Sequence, residues 1–194
     1  MRRLLATALS LAIVPIAAPA AGAHTKGGHA NGGNATLSGT FQTLPAGTAL
    51  GLDISGSAKL KLSRHGTVVK VVVRGLVPGG TYAAHLHSGA CSDANPGGVH
   101  YKNDPAGPSA PPNELWLSST EDPTAGITAN EEGVARGRGS ADWVAKSNTL
   151  SVVIHDIPAG GNTAGGPKIA CADLLTAQRD DGDNSGNGQD GDDG

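Results

Sequence analysis

Ser57-Ala58-Lys59-Leu60-Lys61-Leu62-Ser63 alternates with a period of two, placing Ala58, Leu60 and Leu62 on one side and Lys59 and Lys61 on the other. That period belongs to a half-buried β-strand. Arg64-His65-Gly66 reads as a turn, and the β-branched run from Thr67 to Arg74 (TVVKVVVR) reads as the returning strand. Working outward, Pro78-Gly79-Gly80 is a further turn and Thr81 to His87 a third strand. Gly133 to Trp143, Thr149 to His155 and Lys168 to Leu174 have the same character, and Thr36 to Gln42 can open the sheet. Seven or eight short strands with frequent turns, and no helix of ten residues, predict an all-β domain, a Greek-key β-barrel or sandwich.

Composition supports this class. The 194 residues are 38% hydrophobic, 3% aromatic and 16% charged, with 30 Gly and 12 Pro. That is room for one domain, in a chain too interrupted for a helical bundle. The net charge of −3, with no basic cluster interleaved with aromatics, argues against nucleic-acid binding.

Both ends read as separate from the domain. Residues 1–23 open with Arg2 and Arg3, continue through an apolar run from Leu4 to Ile16, and close on small residues. This is the pattern of a secretory signal peptide, cleaved after Ala23 or after Ala20. The apolar run is too short for a membrane span, and no span is expected in the mature chain. Residues 24–35 are Gly-rich and polar, a flexible leader. Residues 179–194 hold six Asp, one Arg and no apolar side chain, a solvated acidic tail. Setting aside Arg2, Arg3, Arg179 and the six tail Asp, the segment between has eleven basic and eleven acidic side chains. The domain proper is expected over 36–178, in a secreted, periplasmic or cell-surface location.

An exported chain with an even cysteine count implies a disulfide, and Cys91 and Cys171 permit one intramolecular pairing. It ties the segment after His87 to the last strand. Residues 88–113 form a long stretch rich in Gly, Pro, Asn and Ser; a loop of that length in a compact domain is usually functional or disordered, and the nearby Cys and His favour function. Of seven histidines, His24 and His29 lie in the leader and His65 in a turn. His85-Leu86-His87 puts two imidazoles on one face of a strand. His100 lies in the long loop and His155 ends a strand. Neutral imidazole nitrogens suit copper, zinc and iron.

Gly75-Leu-Val-Pro-Gly-Gly-Thr-Tyr-Ala-Ala-His-Leu-His87 resembles the strand leading to the copper site of copper/zinc superoxide dismutases. Gly98-Val-His-Tyr101 resembles that family's bridging-histidine motif, and Val153-Ile-His-Asp156 its fourth-ligand motif. Gly166-Pro-Lys-Ile-Ala-Cys171 resembles the last strand, where the family has a guiding Arg. The resemblance runs from about residue 36 to 175 and keeps the motif order. It implies a Greek-key β-barrel, copper held by His85, His87, His100 and His155, and Cys91–Cys171 as the family's disulfide. It further implies an enzyme that converts superoxide anion to O₂ and hydrogen peroxide, with His100 delivering a proton.

The chain departs from that pattern in three places. Between His100 and His155 there is no histidine, so the two further His of the family's zinc site are missing and zinc is not expected. The segment between His155 and Lys168 is short and Gly-rich. Lys168 stands where the family has Arg; it keeps the positive charge without the planar fork that docks an anion. The chain thus resembles a copper-only branch, in which Glu114 of Asn113-Glu114-Leu115-Trp116 is placed to accept the His100 N–H in place of zinc. Trp116 and Trp143 read as core packing. Tyr101 reads equally as packing or as a wall of the copper channel. A mature N-terminus at His24, with His29 nearby, suggests a copper-capture leader. A copper-binding or copper-buffering protein with little turnover is the alternative function. Nothing in the sequence marks an oligomeric interface.

Overall fold

The structure is a computed structural model and describes residues 34–147, 149–157 and 165–176. The segment read as a signal peptide, the leader with His24 and His29, and the acidic tail lie outside these residues, except that Ala35 already opens the first strand.

The described residues form two five-stranded antiparallel sheets and almost no helix. In chain order the elements are β1 (Ala35–Thr40), β2 (Gln42–Thr43), α1 (Pro45–Ala49), β3 (Ser55–Ser63), β4 (Gly66–Arg74), β5 (Thr81–His87), β6 (Ile127–Thr128), β7 (Ala135–Ala141), β8 (Ser151–Asp156), β9 (Lys168–Asp173) and β10 (Leu175–Thr176). One sheet runs β10-β1-β3-β4-β7 and the other β2-β9-β8-β5-β6. Among the longer strands the chain changes sheet between β4 and β5 and on either side of β7, so β7 lies beside β4 and β8 beside β5. The all-β expectation holds in its sandwich form. The seven strands of six or more residues are those that the alternation points to. β2, β6 and β10 have two residues each, too few to show a period; their partners across the sheet define them.

The alternation sorts the side chains. Ala58, Leu60 and Leu62 of β3 and Val69, Val71 and Val73 of β4 turn inward, meeting Ala84 and Leu86 of β5 and Val152 and Ile154 of β8 in one core. Burial of a Leu or Val side chain contributes about 1.5–3 kcal/mol, so this interface is the main driving force for folding. Because β5 and β8 are central strands covered on both sides, their other face is buried too. There, Val153, Cys171, Cys91 and Leu44 form a smaller cluster under the long loop.

Two further features position the site. Cys91 and Cys171 are joined, with Cα atoms 5.7 Å apart, and pin the start of the loop to β9. Residues 114–118 run between the sheets: Trp116 bridges to His85 of β5, and Ser118 bridges to Arg138 of β7. Gly139 on β7 permits that approach, since a Cβ there would collide with the Trp116 carbonyl.

Candidate metal centre

The β5–β8 register places Ala83 opposite His155 and His85 opposite Val153. Residues directly opposite one another share a face. His85, His87 and His155 therefore leave the sheet on the side away from the main core, beneath the 88–113 loop. The loop then brings in His100. Ser88 N–H donates to Val99 O (3.0 Å) and Tyr101 N–H to Leu86 O (2.8 Å), which sets His100 opposite His87. The turn before it passes through Gly97 and Gly98, at φ of 74° and 65°. A side chain at Gly97 would be strained at that angle and would strike Val153.

One nitrogen from each of the four rings lies within 4.8 Å of every other. The hydrogen bonds decide which. His155 Nδ1–H donates to Gly166 O (2.9 Å) and His100 Nδ1–H to Glu114 Oε2 (2.8 Å), so each presents Nε2 as a lone pair. His87 Nε2 and His155 Nε2 face each other at 3.2 Å. His85, His87 and His155 are 1%, 0% and 3% exposed, whereas the His100 side chain is 19% exposed. A cavity of about 800 Å³ opens over this fourth ring, walled in part by Asn95, Lys102, Glu114 and Lys168.

Burial, reinforced by the neighbouring His100, His155, His85 and Lys168, holds His87 down at about 2. His155 is pushed down to about 4, mainly by burial, with the Gly166 carbonyl opposing the shift. Both rings are neutral at working pH, the form that binds a metal. Four imidazole nitrogens gathered at one point, three of them shielded, fit a transition-metal ion. The sheets alone do not collect them; the loop does.

No protein-family model matches the chain, and no curated protein matches it. Among solved structures it is similar to a crystal structure of a double mutant of a SOD-like protein from Bacillus subtilis. That likeness covers 71% of this chain and 96% of the other, at 13% identity and a TM-score of 0.44. The four-ring cluster and the Cys91–Cys171 disulfide are the features that the sequence resemblance implies. The centre itself is read from its own rings and partners, because a likeness this distant says nothing about activity.

Glu114 lies beside His100. It is 2% exposed, and its Oε2 accepts from both His100 and Trp116 Nε1 (2.8 Å each). Trp116, read from the sequence as packing, thus also holds the carboxylate, and its ring lies against His85 at 5.0 Å between centroids. Spacing gives no sign of this; an indole two residues from a buried carboxylate is the one available hint. Tyr101 packs in the main core, stacked on Trp143 with its hydroxyl accepting from Lys146 N–H, and it also lines the cavity over His100. Trp143 in turn donates to Pro112 O (2.7 Å), closing the far end of the loop. Lys168 reaches the cavity, but its ammonium donates to Asn95 Oδ1 (2.7 Å), Pro96 O (2.8 Å) and Gly98 O. All three donors of a lysine are then in use.

The depressed imidazoles give a pH prediction for the metal-free protein. Unfolded histidine protonates near 6.5, while His155 stays neutral to about 4 and His87 to about 2. Below 6.5 the unfolded chain therefore binds more protons than the fold, and stability falls as pH falls. The loss is about 1.4 kcal/mol per pH unit for each ring that stays neutral, none of it present above pH 7. Thermal melts of the metal-free protein are expected to be flat from pH 7 upward and to drop steadily toward pH 4.

Proposed function

We propose that this chain is an exported copper-dependent superoxide dismutase. The observation that carries the reading is the convergence of His85, His87, His100 and His155, with His100 both fixed by a buried carboxylate and open to the cavity. The copper-only character rests on Glu114 occupying the outer side of the His100 ring. The disulfide supports an extracytoplasmic setting, and no helix among the described residues is long and apolar enough to cross a membrane.

Bound copper supplies the one-electron couple by which two superoxide ions and two protons become O₂ and hydrogen peroxide. His85, His87 and His155 would hold it from the buried side, where their burial keeps water out. His100, the exposed member, would take up a proton from the cavity at Nε2 whenever that nitrogen is not bound to metal, and so would supply one of the two protons the reaction consumes. Imidazole suits that task because its ordinary pKa is close to working pH. Glu114, itself held by Trp116, keeps the His100 proton on Nδ1 and so keeps Nε2 turned inward. Lys168 contributes positive charge near the cavity, which favours approach of a small anion.

Lys168 also gives the second reading its support. With its ammonium committed to loop oxygens it does not offer a free N–H to superoxide, which favours a copper-binding or copper-buffering protein with little turnover. Loading the protein with copper, measuring bound copper and zinc, and assaying superoxide decay separates the two. Stoichiometric copper with rapid decay supports the enzyme; stoichiometric copper without it supports the buffer; no copper binding overturns both.

Two variants probe the centre. Glu114→Ala removes the acceptor for two buried N–H groups and is expected to lower copper affinity or turnover by about 10–100-fold. Chelator competition and the decay assay check this, and unchanged values would remove Glu114 from the mechanism. Lys168→Met removes the charge together with three loop contacts. A drop in turnover that shrinks at high salt is expected from lost steering; a salt-independent drop assigns Lys168 to holding the loop.

A further inference from the structure

The solvent face of the β10-β1-β3-β4-β7 sheet carries Lys59, Lys61, Lys70, Arg74, Arg136 and Arg138, all exposed. The register sets Lys59 opposite Lys70, and Lys70 opposite Arg138, so three cations lie in one row across three strands. Like charges directly opposite one another destabilise a sheet. No acidic residue takes an outward position on β1, β3, β4 or β7. Glu132 shares a surface depression with Arg74 and Arg136. The one salt bridge among the described residues is nevertheless that of His100 with Glu114. Among the described residues, the Lys59–Lys70–Arg138 row has no ion-pair partner.

The chain carries that counter-charge just beyond the same sheet. Strand β10 is the edge of this sheet, antiparallel to β1, with Leu175 opposite Ser38 and Thr176 opposite Leu37. Its direction leads toward Thr36, whose partner on β3 is Lys61. Residues 179–194, RDDGDNSGNGQDGDDG, follow two residues later, after Ala177 and Gln178. Adjacent strands are about 4.8 Å apart, so crossing from β10 to β7 takes roughly 20 Å, a distance six extended residues cover at about 3.3 Å each.

We propose that segment 179–194 of the same chain docks on this basic face, with Asp180, Asp181 and Asp183 over the Lys59–Lys70–Arg138 row. The contact is electrostatic and solvated, in keeping with a segment that has no apolar side chain to bury. It leaves the face closed to other anions and keeps a patch of one sign from acting as a general polyanion trap. The proposal does not depend on the copper chemistry.

The test compares backbone amide shifts of the full chain with those of a full-length variant in which Asp180, Asp181, Asp183, Asp190, Asp192 and Asp193 are replaced by Asn. At about 0.01 M salt, where the screening length is about 30 Å, shift differences are expected at Lys59, Lys70 and Arg138 and their strand neighbours. They should vanish at about 1 M, where it is about 3 Å, and in a K59S/K70S/R138S background. Identical spectra at low salt overturn the proposal, as do differences that persist at high salt. Differences that grow with protein concentration overturn it in favour of a second copy as the occupant.

Discussion

Replacing His100 with Gln in the copper-loaded protein is expected to lower superoxide turnover by about 10²–10⁴-fold, the usual contribution of a positioned proton donor. Glutamine is the informative choice because its amide N–H can still donate toward Glu114, whose Oε2 otherwise loses one of its two donors. Glu114 Oε2 then keeps two donors, and the carboxylate is left no worse compensated than in the parent. His85, His87 and His155 remain to hold the metal, so copper content should fall less than activity. Decay kinetics with copper quantified in the same sample check this. A His100→Gln protein that turns over at the parental rate removes His100 from the proton path and leaves a metal-binding protein.

Breaking the Cys91–Cys171 bridge by a Cys91→Ser/Cys171→Ser double substitution is expected to remove about 4–5 kcal/mol of stability, the chain-entropy value for a closed loop spanning a sequence separation of 80. For a domain of this size that corresponds to a drop of roughly 10–20 °C in melting midpoint. Site function should suffer as well. Cys91 opens the loop that carries His100, and its N–H donates to Asp173 Oδ1 (2.8 Å), a second tie to β9. Calorimetry or chemical denaturation with and without reductant measures the loss. A midpoint within two or three degrees of the parent would show that the loop is held by its other contacts, such as Ser151 Oγ–H to Gly89 O and the Lys168 cluster on residues 95–98.

Much of this arrangement is legible in the chain itself. Alternation over 57–74 specifies a hairpin, and period-two burial is a local property that each residue carries with its neighbours. His85 and His87 share a face for the same local reason. The two cysteines, in a chain with an export signal, allow one intramolecular pairing. By contrast, a strand of two residues such as β2 or β6 has no period; a partner strand defines it. Trp116 reads as core by composition, and only the bridge of 114–118 between β5 and β7 turns its N–H onto Glu114. Lys168 reads as a free charge, and only the folded loop supplies the three oxygens that occupy it.

By itself, the sequence determined an all-β chain, the histidines available as ligands, one cross-link and an acidic segment at one end, because these follow from periodicity, residue chemistry and count. Tertiary structure alone decided that four imidazole nitrogens distributed over seventy residues of chain meet within 4.8 Å. It also decided which nitrogen each hydrogen-bonded ring turns inward, and that six cations share one face. These depend on register and loop path, and register is a relation between strands that no single segment contains.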